Sequence, residues 1–187
     1  MCRPLRPDTF PFIYSVVAIP LEDALTVRHA AYYEDRPDTP LETARLDCDD
    51  DLQTSHFGVY ENACIVAVGS LTAKSPSPRT PYAVSYRLRG MAVLPSKQGR
   101  GLGAAVLDYA LARVAEVGGG LVWANVRVGK TGFYERWGFA MSDDTFFVRE
   151  GSPMHHYGEL VVACDIPGHQ ECQSQTHFSD RQLFCGW

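Results

Sequence analysis

Gly90-Met-Ala-Val-Leu-Pro-Ser-Lys-Gln-Gly-Arg-Gly-Leu-Gly103 decides how this chain folds. An apolar run ends at Val93, Pro95 breaks it, three alternate glycines turn the chain, and an amphipathic segment follows. Gly99, Gly101 and Gly103 permit a tight turn and let ligand oxygens approach the main chain with no Cβ in the way. A helix begun there opens with unpaired N–H groups and a partial positive charge, both suited to a pyrophosphate. Arg100 adds a fixed charge with several donors. The stretch therefore predicts a strand, an anion-binding turn and a helix.

Spacing separates this turn from other glycine-rich loops. No Lys-Ser/Thr follows Gly103, which argues against a nucleoside-triphosphate P-loop, and Val106 stands where a dinucleotide fingerprint needs its third glycine. The pattern is Gln98-x-x-Gly101-x-Gly103, preceded by Val93 and Pro95. A second block lies downstream, Gly132-Phe-Tyr-Glu-Arg-Trp-Gly-Phe139.

Bulk properties bound the alternatives. The chain has 187 residues, 45% of them hydrophobic and 21% charged, and a net charge of −5. These values predict a single globular domain over residues 1–165, with 166–187 a polar tail lacking periodicity that is read as disordered or laid over the domain. The negative charge argues against nucleic-acid binding. No apolar run is long enough to span a bilayer, and no secretory signal is evident. Six scattered cysteines without an export signal suit reduced thiols in a cytoplasm. Cys164, His169, Cys172, His177 and Cys185 have zinc-ligand chemistry, but their spacing is too loose and lacks a C-x-x-C knuckle, so no metal is expected.

Working outward, Phe12–Ile19 is β-branched and aromatic and predicts a strand. Pro20 then opens a helix through Tyr32, which Pro37 and Pro40 end. Residues 34–53 predict a loop or short helix with acidic Asp47, Asp49, Asp50 and Asp51. Ser55–Tyr60 and Ala63–Leu71 predict a hairpin turning at Glu61-Asn62, and Tyr82–Val93 the strand into the glycine turn. The next helix carries Gly103, Leu107, Ala110, Val114 and Val117 on one face and stops at Gly118-Gly-Gly120. Leu121–Val126 reads as a central strand, Thr131–Trp137 as a short helix, and Phe139–Val148 and Glu159–Cys164 as the last strands. This order predicts a mixed α/β layer fold.

The two blocks, in this order with a helix and a strand between them, resemble the acetyl-CoA motifs of the GNAT superfamily of N-acetyltransferases; the likeness runs over roughly residues 15 to 163. The resemblance implies an α/β GNAT fold, with a mixed, mostly antiparallel central sheet flanked by helices. It implies an enzyme that transfers the acetyl group of acetyl-CoA to a primary amine by direct attack in a ternary complex. Under it, the backbone of Met91, Ala92 and Val93 pairs with the pantetheine arm and polarises the thioester carbonyl. Gln98, Gly99, Arg100, Gly101, Leu102, Gly103 and Ala104 grip the pyrophosphate. Asn125 and Arg127 match polar positions lining the cofactor or acceptor cleft, Phe133 packs on the cofactor arm, and Tyr134 is the general acid. The family's Asn before Phe-Tyr is missing, since Val128-Gly-Lys-Thr-Gly132 stands there.

The base that frees the amine is drawn from His56, Glu34, Asp35, His155 and His156, with His56 carried forward; histidine titrates in the right range. Asp50 or Asp51 would attract a cationic substrate without taking its proton. A small-molecule amine is favoured over a protein as acceptor, and a homodimer is left open. The alternative reading is a non-catalytic acetyl-CoA sensor or docking module of the same fold.

Overall fold

The computed structural model describes residues 14–148 and 152–165. The helix and strand signals read from the sequence are met in order, among the described residues, by seven strands and three α-helices. Strand β1 (Val16–Ala18) leads into α1 (Leu21–Tyr32), and a 3-10 turn follows at Leu41–Ala44. The hairpin is β2 (Thr54–Glu61) and β3 (Cys64–Ala73), and β4 (Ser85–Val93) runs to a 3-10 turn at Pro95–Lys97. Then come α2 (Leu102–Glu116), β5 (Gly120–Arg127), α3 (Thr131–Glu135), β6 (Ala140–Phe147) and β7 (Met154–Val162).

The strands form one sheet in the order β1-β2-β3-β4-β5-β7-β6. All neighbours are antiparallel except β4 and β5. A parallel pair needs a crossover, and α2 supplies it. The expected mixed, mostly antiparallel sheet flanked by helices is thus the fold observed.

Each face of the sheet carries one long helix. Helix α2 buries Leu107, Leu111 and Val114 against Phe57, Leu88 and Val122. Helix α1 lies on the other face, with Ala24 and Val27 against Val68 and Ala92. Truncating a fully buried leucine such as Leu107 to Ala costs about 2–5 kcal/mol in such settings. Val117, expected on the packed face, is 57% exposed because α2 ends one residue earlier and the chain turns there.

Three strands depart clearly from their expected spans. β1 covers only Val16–Ala18 of the expected Phe12–Ile19, and its pairing with β2 is confined to those three residues. β4 begins at Ser85, three residues after the expected start, because Tyr82 precedes the pairing with β5. β7 begins at Met154, five residues before the expected start; its first part pairs with both β5 and β6 although it carries His155 and His156. Phe12, Ile13 and the expected tail, with His169, Cys172, His177 and Cys185, lie outside the described residues.

Candidate functional site

Strands β4 and β5 pair only at Ser85–Leu121, Tyr86–Val122 and Arg87–Trp123. Beyond Arg87 the two strands part, although β4 continues to Val93 and β5 to Arg127. The opening widens toward the glycine turn. β5 keeps its other neighbour throughout, pairing with β7 from Gly120 to Arg127.

A bulge prepares the β4 side of this gap. Val68 and Ser70 of β3 face Ala92 and Arg89, so β4 holds one extra residue there. Gly90 takes φ 62° within it. A Cβ at Gly90 would collide with the Arg28 guanidinium, so close approach as well as φ demands glycine. Past the bulge, the Leu94 N–H donates to the Val66 carbonyl at 2.9 Å. By strand alternation the N–H groups of Ala92 and Leu94 face β3, and those of Met91 and Val93 face the gap. Two side chains reach the carbonyls on that edge. Tyr32 Oη donates to Met91 O at 3.3 Å, and Gln98 Nε2 donates to Val93 O at 3.3 Å.

The glycine turn lies at the open end. Gly99 and Gly101 hold φ of 75° and 82°, and a Cβ on either would meet nothing within 4 Å. Their outer surface is free for a ligand. Gly101 begins α2 with no side chain capping the helix, and the first helical bond is Ala105 N–H to Gly101 O at 3.0 Å. The N–H groups of Leu102, Gly103 and Ala104 precede that bond. Lys97 and Arg100 both pair with Glu61 on the β2–β3 hairpin, Arg100 at 2.7 Å. These residues fit a pyrophosphate: open backbone donors, a helix N-terminus and two cations.

Across the gap, Phe133 packs beside Gly103, where an added Cβ would come within 3.7 Å of its ring. Phe133 and Tyr134 meet edge-on at 5.0 Å, and Tyr134 meets Phe139 at 5.5 Å. Burial, with a smaller push from Tyr32, raises the Tyr134 hydroxyl far above the ordinary tyrosine range, so it stays protonated. Tyr134, Tyr32, Met91, Val93, Asn125 and Phe133 all line this one cleft, together with the whole turn from Gln98 to Ala104. Tyr32 is the residue that sequence reasoning passed over. In the sequence it marked only the end of a helix, and its partner is a backbone atom.

The histidines separate clearly. His56 is held inside the sheet edge, Nδ1 to Ser70 Oγ at 2.6 Å and Nε2 to Asp49 O at 3.1 Å, and is not among the cleft-lining residues. His156 bonds the Ser142 carbonyl through Nδ1 at 2.8 Å. His155 lines the cleft opposite Arg127. Burial lowers its pKa below the ordinary value, which keeps it neutral at pH 7, and its buried Nδ1 has no partner among the described residues.

The acidic residues each engage a group of the chain's own, and only Asp49 among them is buried. Asp49 forms a fully buried ion pair with Arg28 at 2.7 Å. Asp47 pairs with Arg87 and Arg89, Asp50 with Arg45, and Asp51 accepts from the Gln53 N–H. Among the described residues, no group of three or more His, Cys, Asp or Glu gathers as a metal site, and no helix is long and apolar enough to cross a membrane.

Comparison with known proteins bears on this arrangement. The model of the acetyltransferase (GNAT) family matches residues 21–139, more than half of the chain. A Bacillus subtilis (strain 168) protein, named uncharacterized N-acetyltransferase YitI, is 29% identical over 131 residues, covering 70% of this chain and 85% of its own. A GNAT-family crystal structure from Desulfovibrio desulfuricans superposes with a TM-score of 0.59 at 24% identity, over 80% of this chain and 99% of that one. An aminoglycoside 6'-N-acetyltransferase crystallised with coenzyme A gives 0.58 at 12% identity, over 79% and 97%. The Escherichia coli ribosomal-protein-S18-alanine N-acetyltransferase gives 0.56 at 17% identity, over 83% and 98%. Structural likeness at such identities speaks to the fold alone, while the family match extends through both motif blocks. The chain belongs to the GNAT acetyltransferase family, acyltransferases whose co-substrate is acetyl-CoA.

Proposed function

We propose that this protein transfers the acetyl group of acetyl-CoA directly to a primary amine while both are bound. The observation that carries this reading is the parting of β4 and β5 beside the glycine turn, with the Met91 and Val93 N–H groups facing the gap. Acetyl-CoA supplies the acetyl group as an activated thioester.

The turn from Gln98 to Ala104 would hold the diphosphate through backbone N–H groups, helped by Arg100. Val93 and Met91 would offer N–H groups to the carbonyl oxygen where negative charge develops. Tyr32 braces that edge by binding the Met91 carbonyl. An amine attacks only when unprotonated, and His155, neutral in its buried setting, is the proton acceptor we assign in place of His56. Tyr134, fully protonated at neutral pH, would deliver a proton to the departing thiolate. Direct transfer leaves no need for a nucleophilic side chain.

The test is release of free coenzyme A from acetyl-CoA by the purified protein over a panel of primary amines, with the acetylated product identified by mass. Turnover on an amine supports the reading. Tight binding of acetyl-CoA with no turnover on any amine would instead mark the protein as a sensor or docking module.

A further inference from the structure

On the face of the sheet opposite α2, the gap between β4 and β5 is floored by arginines. Arg87 and Arg89 of β4 and Arg127 of β5 line the cleft with Asn125. Tyr86 and Leu88 point to the α2 core, so the arginines between and beyond them point the other way, toward α1 and the 34–53 loop. Arg87 stacks on Trp123 at 4.8 Å from the ring centre. Both side chains are well embedded, Arg87 being 17% and Arg89 9% exposed.

Their common partner is different in kind. Asp47 is 71% exposed, stands on the loop, and reaches both guanidiniums, Arg87 Nη1 at 3.1 Å and Arg89 Nη2 at 2.5 Å. Hydrogen bonding from Arg89, joined by the charges of Arg89 and Arg87, pushes its carboxyl down to about 2. One carboxylate thus answers two embedded cations. Arg127 has no carboxylate partner among the described residues, and the buried Nε of Arg89 has no acceptor. Nearby, Glu159 is turned to the Thr80 hydroxyl at 2.8 Å, and Asp49 is spent on Arg28. The floor carries surplus positive charge and a spare donor.

Resting on the acetyl-transfer reading above, we infer that the acceptor amine carries an anionic group, a carboxylate or a phosphate, held by Arg87 and Arg89 where Asp47 now sits. Asp47 is the resident stand-in: a carboxylate on an exposed loop that an incoming anion replaces without changing the charge balance. The guanidinium forks suit both anions, since each binds two oxygens of one planar or tetrahedral group. Arg89 lies two residues before Met91, roughly 7 Å along the strand, so one small molecule reaches the arginines and the acetyl-transfer edge together. A polyamine would face repulsion from three cations at this floor.

The experiment measures the full-length protein in two ways: equilibrium binding to its coenzyme A complex by calorimetry, and coenzyme A release from acetyl-CoA. The probes are matched pairs, amino acids against their amides and amino-sugar phosphates against the parent amino sugars, with spermidine as the cationic arm. Rates are compared per unprotonated amine. The anionic member of one pair class is expected to bind at least about tenfold more tightly, and the class with the larger ratio identifies carboxylate or phosphate. Arg87→Gln and Arg89→Gln should erase that ratio, Arg→Lys at either position should restore part of it, and Asp47→Asn should tighten anion binding severalfold. Asp47 is exposed, so this last variant tests the idea even if an arginine variant fails to fold. The inference is overturned if uncharged amines or spermidine bind equally well or better, if the ratio survives both glutamine variants, or if Asp47→Asn weakens anion binding. Anionic amines that bind without being acetylated would defeat the transfer reading and leave this one standing. Acetylation confined to cationic or uncharged amines would do the reverse.

Discussion

Arg28 and Asp49 meet at 2.7 Å with neither side chain exposed to solvent. Arg28 also donates to Ser70 Oγ at 2.6 Å and to the Gly90 carbonyl at 3.4 Å. The pair therefore ties α1 and the acidic loop to the bulge of β4. Removing one partner leaves a buried charge without its counter-ion, at a cost of about 3–5 kcal/mol. Arg28→Met should lower stability by that amount in denaturant unfolding, and adding Asp49→Leu should recover much of it. If the single variant unfolds at the wild-type midpoint, the pair has no structural weight.

Gly101 stands at φ 82° with open space beyond it. Gly101→Glu would project a carboxylate from the turn and oppose a diphosphate by charge and bulk. We expect acetyl-CoA binding to weaken more than about a hundredfold in calorimetry, a loss of about 2.7 kcal/mol. Heats indistinguishable from wild type in a folded variant would rule out the turn as the diphosphate site.

Tyr134 is held protonated by burial, so its removal should act on the chemical step. Tyr134→Phe keeps the ring contacts with Phe133 and Phe139 and deletes only the hydroxyl. The expected outcome is a fall in kcat of about 10²–10⁴ with KM for acetyl-CoA little changed. Loss confined to KM would assign Tyr134 to binding.

His155 is depressed below its ordinary pKa by burial. A depressed histidine is neutral in the folded state at pH 7, and the unfolded chain takes up a proton more readily as pH falls. Its contribution to stability is complete above pH about 6.5 and declines as acidification proceeds through the lower folded value. The acid limb of kcat should likewise fall below about pH 6.5. His155→Gln should remove that limb along with most of the rate, whereas His56→Gln should leave the profile in place. A limb that moves with His56 would reverse the assignment.

Local signals carried much of this architecture. Pro20 and the glycine turn fixed the starts of α1 and α2, and Gly118 to Gly120 the end of α2, because chain stiffness and left-handed φ are properties of single residues. The first half of β7 was hidden since His155 and His156 interrupt the apolar run that marks a strand, and one of them faces the cleft. The ion pairs of the acidic residues were hidden for a different reason. Asp47 and Asp49 pair with Arg87, Arg89 and Arg28, between about twenty and forty positions away in the chain, and such pairing is set by the assembled sheet. Tyr32 was equally illegible, since its partner is the main chain of a bulge 59 positions on.

Only three rungs join the two leaves of the sheet at the β4–β5 seam. A guest lying along the seam would act as a splint, coupling leaves that otherwise share a short spine. Occupancy should then be legible in solvent exchange: the Met91 and Val93 amide hydrogens trade readily with water in the empty protein and slow once the splint is in place. The melting point should climb with guest concentration, by an amount set by mass action alone.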